Sequence, residues 1–403
     1  MNAKARDLDA LPAHIARPLP GRAPLKLRWS AMARIAWGMM FHQKLKLFGT
    51  LFGVVFATLL ANQQIATFLG LMHKNTMYVK AQDAEIWITA PSTQQLPPGQ
   101  TISEAALMQA RAVPGLAWAE PVVVGAGTVS LPAGGREPVT LIGVKLPHRA
   151  GGPWNMVAGD GSVIEQPDTL TFEDAEREKL GGLNIGSVRE VNGKRVYVGG
   201  FTWGLLPFGP SYAFGEYDTV RRLLNLEKDQ VSFVLGKLAP GADATAVADE
   251  LRRRLPDVQV MTRDGFRDTI ISYILKQTAI GVTFGTSALF GLIVGFVIVS
   301  LSMLSAVVDN LREFGTLKAV GATNWDLSKL LFIQAVTYAL MGSVIGLGLV
   351  TRVAKGISGA KLSLILPPEL LIGSVVVMTV LCVAASSMAL MRIRKLEPAM
   401  VFR

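Results

Sequence analysis

The chain has 403 residues, of which 50% are hydrophobic and 17% are charged, and its mean hydropathy is +0.37. This balance is too apolar for an ordinary soluble enzyme and too mixed for a bundle made only of membrane helices, so we expect a membrane part and a water-exposed part. The single cysteine, Cys382, excludes an intramolecular disulfide and a multi-cysteine zinc or iron–sulfur site. The four histidines are scattered singly, so we also expect no catalytic metal.

Residues 1–46 are predicted to form a cytoplasmic tail and a helix on the inner membrane surface. Prolines interrupt the stretch before Leu25, and the first long apolar run begins too late for a secretory signal. From Leu25 to Met39, apolar residues recur at helical spacing with basic residues between them, which is typical of an interfacial helix. The alternative is that this helix simply continues into the first span.

Four segments lack Asp, Glu, Lys and Arg over a length that can cross a bilayer, which takes about 20 helical residues for a hydrocarbon core of roughly 30 Å. We predict transmembrane helices at residues 47–72, 277–308, 330–351 and 370–391. The second segment is the longest, so we expect it to protrude beyond the lipid.

The distribution of basic residues predicts the orientation of these spans. Residues 1–46 hold nine basic and two acidic residues, residues 309–329 hold three of each, and residues 392–403 hold four basic residues and one acidic residue. The rest of the chain holds 24 basic and 24 acidic residues, so the net charge of +10 lies in these three segments. Because cytoplasmic flanks of spans are enriched in Lys and Arg, we predict that both termini and the loop 309–329 are cytoplasmic. Residues 352–369 are then a short outer loop, and the basic composition indicates topology and not nucleic-acid binding.

Residues 73–276 are predicted to be an outer α+β domain with two β-α-β halves, at about 76–160 and 228–270, around a β-rich insert at about 161–227. Alternating or apolar runs predict strands at residues 84–89, 118–124, 128–131, 139–144, 231–235 and 258–262. We expect a short helix within residues 169–182. The dipeptide Asn192-Gly193 predicts a β-hairpin.

Three groups of residues are candidates for contacts outside the local fold. Four aromatic side chains among glycines and prolines either dock a partner, touch substrate or pack locally: Phe201, Trp203, Phe208 and Tyr212. Three amides interrupt the first span and either bond to neighbouring helices or headgroups, or line a substrate entry between spans one and two: Asn62, Gln63 and Gln64. Spaced glycines allow close helix packing, inside the bundle or at a dimer seam: Gly281/Gly285, Gly291/Gly295 and Gly342/Gly346.

The most specific pattern lies in the loop between the second and third spans. Residues 310–326 read Asn-Leu-Arg-Glu-Phe-Gly-Thr-Leu-Lys-Ala-Val-Gly-Ala-Thr-Asn-Trp-Asp, and residues 394–399 near the C terminus read Arg-Lys-Leu-Glu-Pro-Ala. Together with Gly342-x-x-x-Gly346, this pattern resembles the FtsX-like permease family of ABC transporters, of the macrolide-efflux and lipoprotein-release type. The resemblance extends from about Leu25 to the end, and residues 47–88 are most similar to DevC-like exporter permeases.

The resemblance implies that this loop is the coupling helix that sits on an ABC ATPase. The coupling residues would be Arg312, Glu313, Gly315, Lys318, Ala319, Gly321, Ala322 and Thr323. Glu313 and Lys318 are five positions apart, off the ideal spacing for an intrahelical pair, so both are open to the ATPase. Gly315 and Gly321 permit tight turns or close backbone approach. Thr323 is positioned to cap the next helix. Without the resemblance, the alternative is a solvated loop.

The chain is therefore expected to be a transport permease and not an enzyme. It contains no Gly-x-x-x-x-Gly-Lys-Ser/Thr string, so we expect this chain to bind no cofactor, with ATP and Mg on a separate ATPase subunit. The family implies coupling of ATP hydrolysis to mechanotransmission and to export of a hydrophobic or amphiphilic substrate. The expected location is the bacterial inner membrane, with the large domain in the periplasm.

Partners follow from the same resemblance. We expect an ABC ATPase dimer, a second permease copy in a homodimer, a periplasmic adaptor with an outer-membrane channel, and membrane lipids, but no nucleic acid. The alternative function is FtsX-type signalling, which regulates a cell-wall hydrolase and transports nothing. The division-type relative is expected to have a smaller outer domain than residues 73–276, which favours export.

Overall fold

The computed structural model describes residues 29–207, 209–357, 359 and 364–394. The α-helices in this part of the chain are α1 (Trp29–His42), α2 (Lys44–Ala81), α3 (Ala105–Arg111), α4 (Tyr217–Leu224), α5 (Ala244–Arg254), α6 (Arg263–Gln277), α7 (Ala279–Asp309), α8 (Leu311–Ala319), α9 (Asn324–Ile357) and α10 (Pro368–Arg394). The strands are β1 (Ile86–Thr89), β2 (Ile102–Ser103), β3 (Leu116–Ser130), β4 (Arg136–Val144), β5 (Met156–Ala158), β6 (Thr169–Glu173), β7 (Val188–Val191), β8 (Lys194–Thr202), β9 (Ser211–Glu216), β10 (Gln230–Val231), β11 (Phe233–Leu238) and β12 (Gln259–Thr262). The predicted tail before Trp29 and the last residues, 395–403, lie outside the described residues.

Among the described residues, four helices are long and apolar enough to cross a membrane. These candidate spans are Lys44–Ala81, Ala279–Asp309, Asn324–Gly356 and Pro368–Ala389, and each overlaps one predicted span. The first helix is longer than predicted because α2 continues through Lys74 and Lys80, where the charge-free stretch has already ended. The first charged residue shows where the apolar part of a helix ends, but the helix itself can continue beyond that residue.

The chain divides into two compact units. The helical unit comprises the chain up to Ala61, then Phe290–Leu349, and the part from Pro368 onwards. Its core is formed by side chains from α1, α2, α7, α8, α9 and α10. The predicted helix after Leu25 is present as α1, which buries Met32, Ala36 and Met40 at helical spacing and exposes Trp29. Its position on a membrane surface stays a prediction.

The second unit, here called the sheet domain, comprises Asn62–Leu289 and Val350–Pro367. Its main sheet has the strand order β12-β1-β11-β3-β4-β9-β6-β8-β5, and β7 pairs with β3 and β8. The pairs β4–β9 and β6–β8 are parallel and the other pairs in this sheet are antiparallel. Strand β1 lies between β11 and β12. The two predicted halves therefore share one continuous sheet.

Alternating side chains give this sheet two buried faces. Val123 packs on the face that is covered by α3, α4 and α5. Its neighbours Val122 and Val124 pack on the opposite face, against α6 and the last turns of α2, where Tyr78 and Phe266 are buried. Helices thus pack against both faces of the sheet.

Two local predictions are wrong. The strands expected at 118–124 and 128–131 are one strand, β3, with Gly125 and Gly127 inside it. Side chains lie over both glycines, so a Cβ at Gly125 would overlap Leu224 and one at Gly127 would overlap Leu141.

The helix expected within residues 169–182 is instead strand β6 followed by a short 3-10 turn, Asp174–Glu176. Strand β6 pairs with β8 on one side and β9 on the other, so tertiary pairing overrides the local helical pattern.

The predicted hairpin is confirmed. Strands β7 and β8 are joined by Asn192 and Gly193, whose φ angles are 49° and 77°. Two consecutive positive φ angles are what a type I′ turn requires, and Asn-Gly is the dipeptide that adopts them most readily.

Candidate functional site

The segment 310–326, here called the coupling segment, contains helix α8, a turn and the start of α9. Helix α8 buries Phe314, which is 2% exposed, and Gly315 against the core of the helical unit. Arg312, Glu313 and Thr316 lie on its exposed side. The helix is therefore anchored on one side and open on the other.

Helix α8 ends in a Schellman motif. The backbone N–H of Ala322 donates to the carbonyl of Leu317 at 2.9 Å, and that of Gly321 donates to the carbonyl of Lys318 at 3.0 Å. Gly321 has a φ of +111°, a conformation that a residue with a Cβ rarely adopts. The predicted glycine turn is thus present at Gly321, whereas Gly315 lies inside the helix.

Helix α9 begins with the predicted cap at Thr323. The Asp326 N–H donates to Thr323 Oγ1 at 3.2 Å, and Asp326 Oδ2 accepts from the Thr323 hydroxyl at 2.6 Å and from its N–H at 3.1 Å. These reciprocal bonds form a capping box with Asp in place of the usual Glu. The turn between α8 and α9 is consequently fixed at both ends.

The open side of the coupling segment combines apolar and charged groups. Val320 is 57% exposed and Trp325 is 68% exposed. Arg312 and Glu313 form no ion pair with any residue that the structure describes. Ala319 is also exposed, and Lys318 is half-buried. Exposed aliphatic and aromatic groups beside charges are typical of a protein-docking surface.

A polar network ties the base of the coupling segment to the first helices of the same unit. Gln43 Nε2 donates to Asn310 Oδ1 at 2.9 Å, and Asn310 Nδ2 donates to the Ala306 carbonyl at 2.7 Å. Lys46 forms an ion pair with Asp309. Sequence reasoning missed this network because Gln43 and Asn310 are 267 positions apart.

Two of the spaced glycine pairs face α2 inside the helical unit. A Cβ at Gly295 would overlap Ala57, and one at Gly342 would overlap Val54. Gly291 and Gly346 also lie against α2, so these pairs pack within the bundle. A Cβ at Gly285, in contrast, would meet nothing within 4 Å.

The predicted amides of the first span occupy consecutive positions in α2. Asn62 is buried, whereas Gln63 and Gln64 are half-buried. The Gln63 carbonyl accepts a hydrogen bond from the Thr67 hydroxyl at 2.8 Å. The three side chains point in different directions around the helix and do not form one polar patch. A role at a substrate entry stays a prediction.

Of the predicted aromatic group, Phe201 and Tyr212 are buried in the sheet domain and Trp203 is exposed. Phe208 lies outside the described residues. Arg177 lies over the Phe201 ring, 3.6 Å from its centroid. The rings of Phe201 and Tyr212 pack locally, so among the described members of this group Trp203 is the one exposed to a protein partner.

A buried carboxylate, which sequence reasoning also missed, holds the loop that carries Trp203. Glu173 accepts hydrogen bonds from the N–H groups of Gly204 (2.6 Å) and Leu205 (3.1 Å) and from the Thr202 hydroxyl (3.0 Å). Burial raises the pKa of Glu173, although these three bonds act in the opposite direction. Lys74 Nζ donates to the Gly204 carbonyl at 3.1 Å. The loop is therefore positioned by a group that titrates.

Among the described residues, no group of three or more His, Cys, Asp or Glu side chains is arranged to hold a metal ion. The geometry of the coupling segment offers docking and positioning groups and no nucleophile paired with a base.

Comparison with known proteins gives one match to a family model. Residues 285–398 match the FtsX-like permease C-terminal family. This region includes the coupling segment and the two candidate spans that follow it. Residues 47–88, for which a DevC-like character is predicted, lie outside the matched region.

Curated relatives match over parts of their length. The macrolide export ATP-binding/permease protein MacB of Psychrobacter cryohalolentis is 25% identical over 173 residues, 42% of this chain and 26% of that protein. The probable syringafactin export ATP-binding/permease protein SyfD of Pseudomonas syringae pv. tomato is 36% identical over 92 residues, 22% of this chain and 14% of that protein. The match thus spans about a quarter or less of the length of these relatives.

A solved structure also aligns with the chain. The periplasmic region of MacB from Actinobacillus actinomycetemcomitans covers 48% of this chain and 95% of its own, with 10% sequence identity and a TM-score of 0.37.

Proposed function

We propose, from the match of residues 285–398 to the FtsX-like permease C-terminal family, that the chain is the permease subunit of an ABC exporter in the bacterial inner membrane. In this proposal a separate ATPase dimer binds the coupling segment. Its nucleotide-driven closure moves α8, and the chain passes this motion to the periplasmic side, where a hydrophobic or amphiphilic substrate is expelled.

The observation that carries the proposal is the two-sided character of α8. Phe314 fixes the helix to the core of the helical unit, while Val320 and Trp325 present apolar surface outwards at the adjoining turn. An element that transmits force must be bound firmly to the part it moves and must offer a surface to the part that drives it. The Schellman turn and the capping box make this surface rigid, which reduces the entropy lost on docking.

We place ATP hydrolysis on a partner ATPase, as the family resemblance implies. The phosphate-binding string Gly-x-x-x-x-Gly-Lys-Ser/Thr is absent from these 403 residues. The relatives MacB and SyfD are named as combined ATP-binding and permease proteins. The ATP-binding part of the proposed transporter is accordingly assigned to a partner ATPase.

The export function is supported by the names of the relatives, which are exporters of macrolides and syringafactin. A second permease copy and a periplasmic adaptor with an outer-membrane channel complete the proposed assembly. Signalling to a cell-wall hydrolase is the rival function, and the export names of the relatives make it the less favoured of the two.

Cysteine labelling tests both the topology and the docking. Cys382 is fully buried and can be replaced by alanine to give a background without thiols. Val320→Cys and Met108→Cys then place thiols at similar exposure, 57% and 62%, in the coupling segment and in the sheet domain. A membrane-impermeant maleimide should label Val320→Cys from the cytoplasmic side and Met108→Cys from the opposite side.

Addition of the ATPase should protect the thiol of Val320→Cys and leave that of Met108→Cys reactive. Val320→Asp should abolish ATP-dependent release of a fluorescent amphiphile from reconstituted vesicles. Labelling of both thiols from the same side would overturn the proposed topology. Full ATPase capture and release by Val320→Asp would overturn the proposed docking surface.

A further inference from the structure

The sheet domain contains a cavity of about 230 Å³ on the sheet face that is covered by α6 and the end of α2. It is here called the Thr140–Tyr212 cavity. Its lining includes Asn75 of α2, Ile270 and Ile274 of α6, and Ile280 in the first turn of α7. By sequence, Asn75 and Ile280 belong to the ends of two candidate spans that lead into this domain.

One wall of the cavity carries two hydroxyl-bearing residues on adjacent strands. Thr140 of β4 and Tyr212 of β9 are direct neighbours in the parallel strand pair, so their side chains stand side by side on the same face. They are 3% and 4% exposed. Both hydroxyls are thus held in place by a sheet and are shielded from bulk solvent.

Neither hydroxyl forms a hydrogen bond with any residue that the structure describes. Neither oxygen is among the fully enclosed side-chain atoms without a partner, so each retains some accessible surface. Burial raises the pKa of the Tyr212 phenol, so it stays protonated and can donate a hydrogen bond. Buried polar groups are normally paired, so two residues with unpaired hydroxyls in the lining of one cavity indicate a ligand or water.

The rest of the lining selects the ligand class. None of the described residues that line the cavity is charged. An ionised group would lose its hydration there without gaining a countercharge, which is unfavourable by several kcal/mol or more. Ile270, Ile274 and Ile280 form an apolar wall, so a molecule that fits has an uncharged polar group next to an apolar portion.

We propose that the Thr140–Tyr212 cavity binds the polar–apolar junction of an uncharged amphiphile. The two hydroxyls bond to its ester, amide or hydroxyl group, and the isoleucines pack against its hydrocarbon part. A drug-sized ligand needs roughly 300 Å³ or more, so the cavity holds one portion of the molecule. This inference rests on the proposed function, because the ligand belongs to the class of substrate that the exporter would carry.

The test uses the full chain in nanodiscs of ether-linked phospholipids, which contain no ester groups. The probe is monolauroylglycerol with a diazirine at the end of its acyl chain, and mass spectrometry locates the adducts. Labelling should concentrate on α6 around Ile270 and Ile274. Ile274→Trp fills the cavity and should lower the labelling about tenfold, whereas Leu275→Trp, on the same helix but outside the lining, should leave it unchanged.

The hydroxyls are tested by the double variant Thr140→Val with Tyr212→Phe. Since neither group has a partner in the described structure, the thermal midpoint should not fall, whereas the affinity for the probe should fall about tenfold. Unchanged affinity, or equal labelling of Ile274→Trp, would overturn the proposal. A phosphatidylcholine probe with a diazirine is tested in the same way. If it labels α6 equally well and competes with monolauroylglycerol, the cavity binds bilayer lipid and the cargo role is overturned.

Binding is measured without nucleotide and without the ATPase, so the two proposals can fail independently. Loss of ATPase protection at Val320→Cys with intact probe binding would refute the proposed function alone. Intact protection with no cavity-dependent binding would refute this inference alone.

Discussion

Gln43 and Asn310 are each the single residue between two helices, and their side chains bond to each other at 2.9 Å. Gln43 separates α1 from α2, and Asn310 separates α7 from α8. The adjoining ion pair between Lys46 and Asp309 reinforces the connection. Two helix junctions of the helical unit are therefore tied to each other at the base of the coupling segment. Movement of α8 would act on the start of α2 and the end of α7 together.

A double-mutant cycle should detect this bond. Gln43→Ala and Asn310→Ala should each lower the free energy of unfolding by about 1 kcal/mol, and the double variant should lose less than the sum, with a coupling energy of 0.5 kcal/mol or more. Unfolding is followed in mixed micelles. In vesicles with the ATPase, Asn310→Ala should lower substrate release per ATP hydrolysed. Additive effects in the cycle would show that the bond contributes nothing, and an unchanged release ratio would show that it does not transmit motion.

The coupling segment illustrates how far sequence reasoning reaches. The cap at Thr323 and the turn at Gly321 were predictable because both depend on residues within one helical turn of each other. The Gln43–Asn310 bond and the anchoring of Phe314 were not, because they depend on how distant helices pack. Apolar periodicity indicates that a residue is buried but does not identify its neighbours.

Gly321→Ala tests the turn between α8 and α9. At a φ of +111° a Cβ is strained although no neighbour lies within 4 Å, so the cost is conformational and about 1–2 kcal/mol. We expect faster hydrogen exchange at the amides of Gly321 and Ala322 and about tenfold weaker capture of the ATPase. Gly373→Ala is the matched control, because its Cβ also meets nothing within 4 Å and its φ is ordinary for a helix. Equal behaviour of the two variants would contradict the role of the Schellman turn.

The raised pKa of Glu173 predicts that the stability of the sheet domain depends on pH. Because burial raises its pKa in the folded state, the folded protein binds this proton more tightly than the unfolded chain. The stability that the protonated carboxyl contributes is complete below its ordinary pKa, about 4.3, and is lost as the pH rises through the raised value. The difference in unfolding free energy between the native protein and Glu173→Gln should therefore fall over this window.

The variant Thr202→Val gives a second test of the titration of Glu173. The Thr202 hydroxyl bonds to the carboxylate and lowers the pKa of Glu173, so its removal should move the loss of stability to higher pH. Hydrogen exchange at Gly204 and Leu205, both donors to Glu173, is the local readout. Profiles of the same shape in the native protein and in Glu173→Gln would show that this carboxyl does not titrate as described.

The sheet domain shows where local sequence signals fail. The Asn192-Gly193 hairpin was predictable since the turn needs two positive φ angles and this dipeptide provides them. Strand β6 was not, because its state is decided by pairing with β8 and β9, which are contributed by residues further along the chain. The same holds for the Thr140–Tyr212 cavity, whose two hydroxyl-bearing residues are neighbours only because β4 and β9 pair in parallel.

Gly342→Ala tests the packing of α9 on α2. The added Cβ would overlap the side chain of Val54 inside a close-packed helix interface, and overpacking of this kind costs about 1–3 kcal/mol. Gly348→Ala, six residues further along the same helix, adds a Cβ that meets nothing within 4 Å and should be neutral or slightly stabilising because alanine favours helix. Val54→Ala removes Cγ1, the atom that would lie 2.4 Å from the added Cβ, but keeps the Val54 Cβ at 2.6 Å, so its combination with Gly342→Ala should recover only part of the lost stability. Equal stability of Gly342→Ala and Gly348→Ala would show that the close approach of the two helices at Gly342 does not hold this interface. A further loss of stability when Val54→Ala is added to Gly342→Ala would show the same.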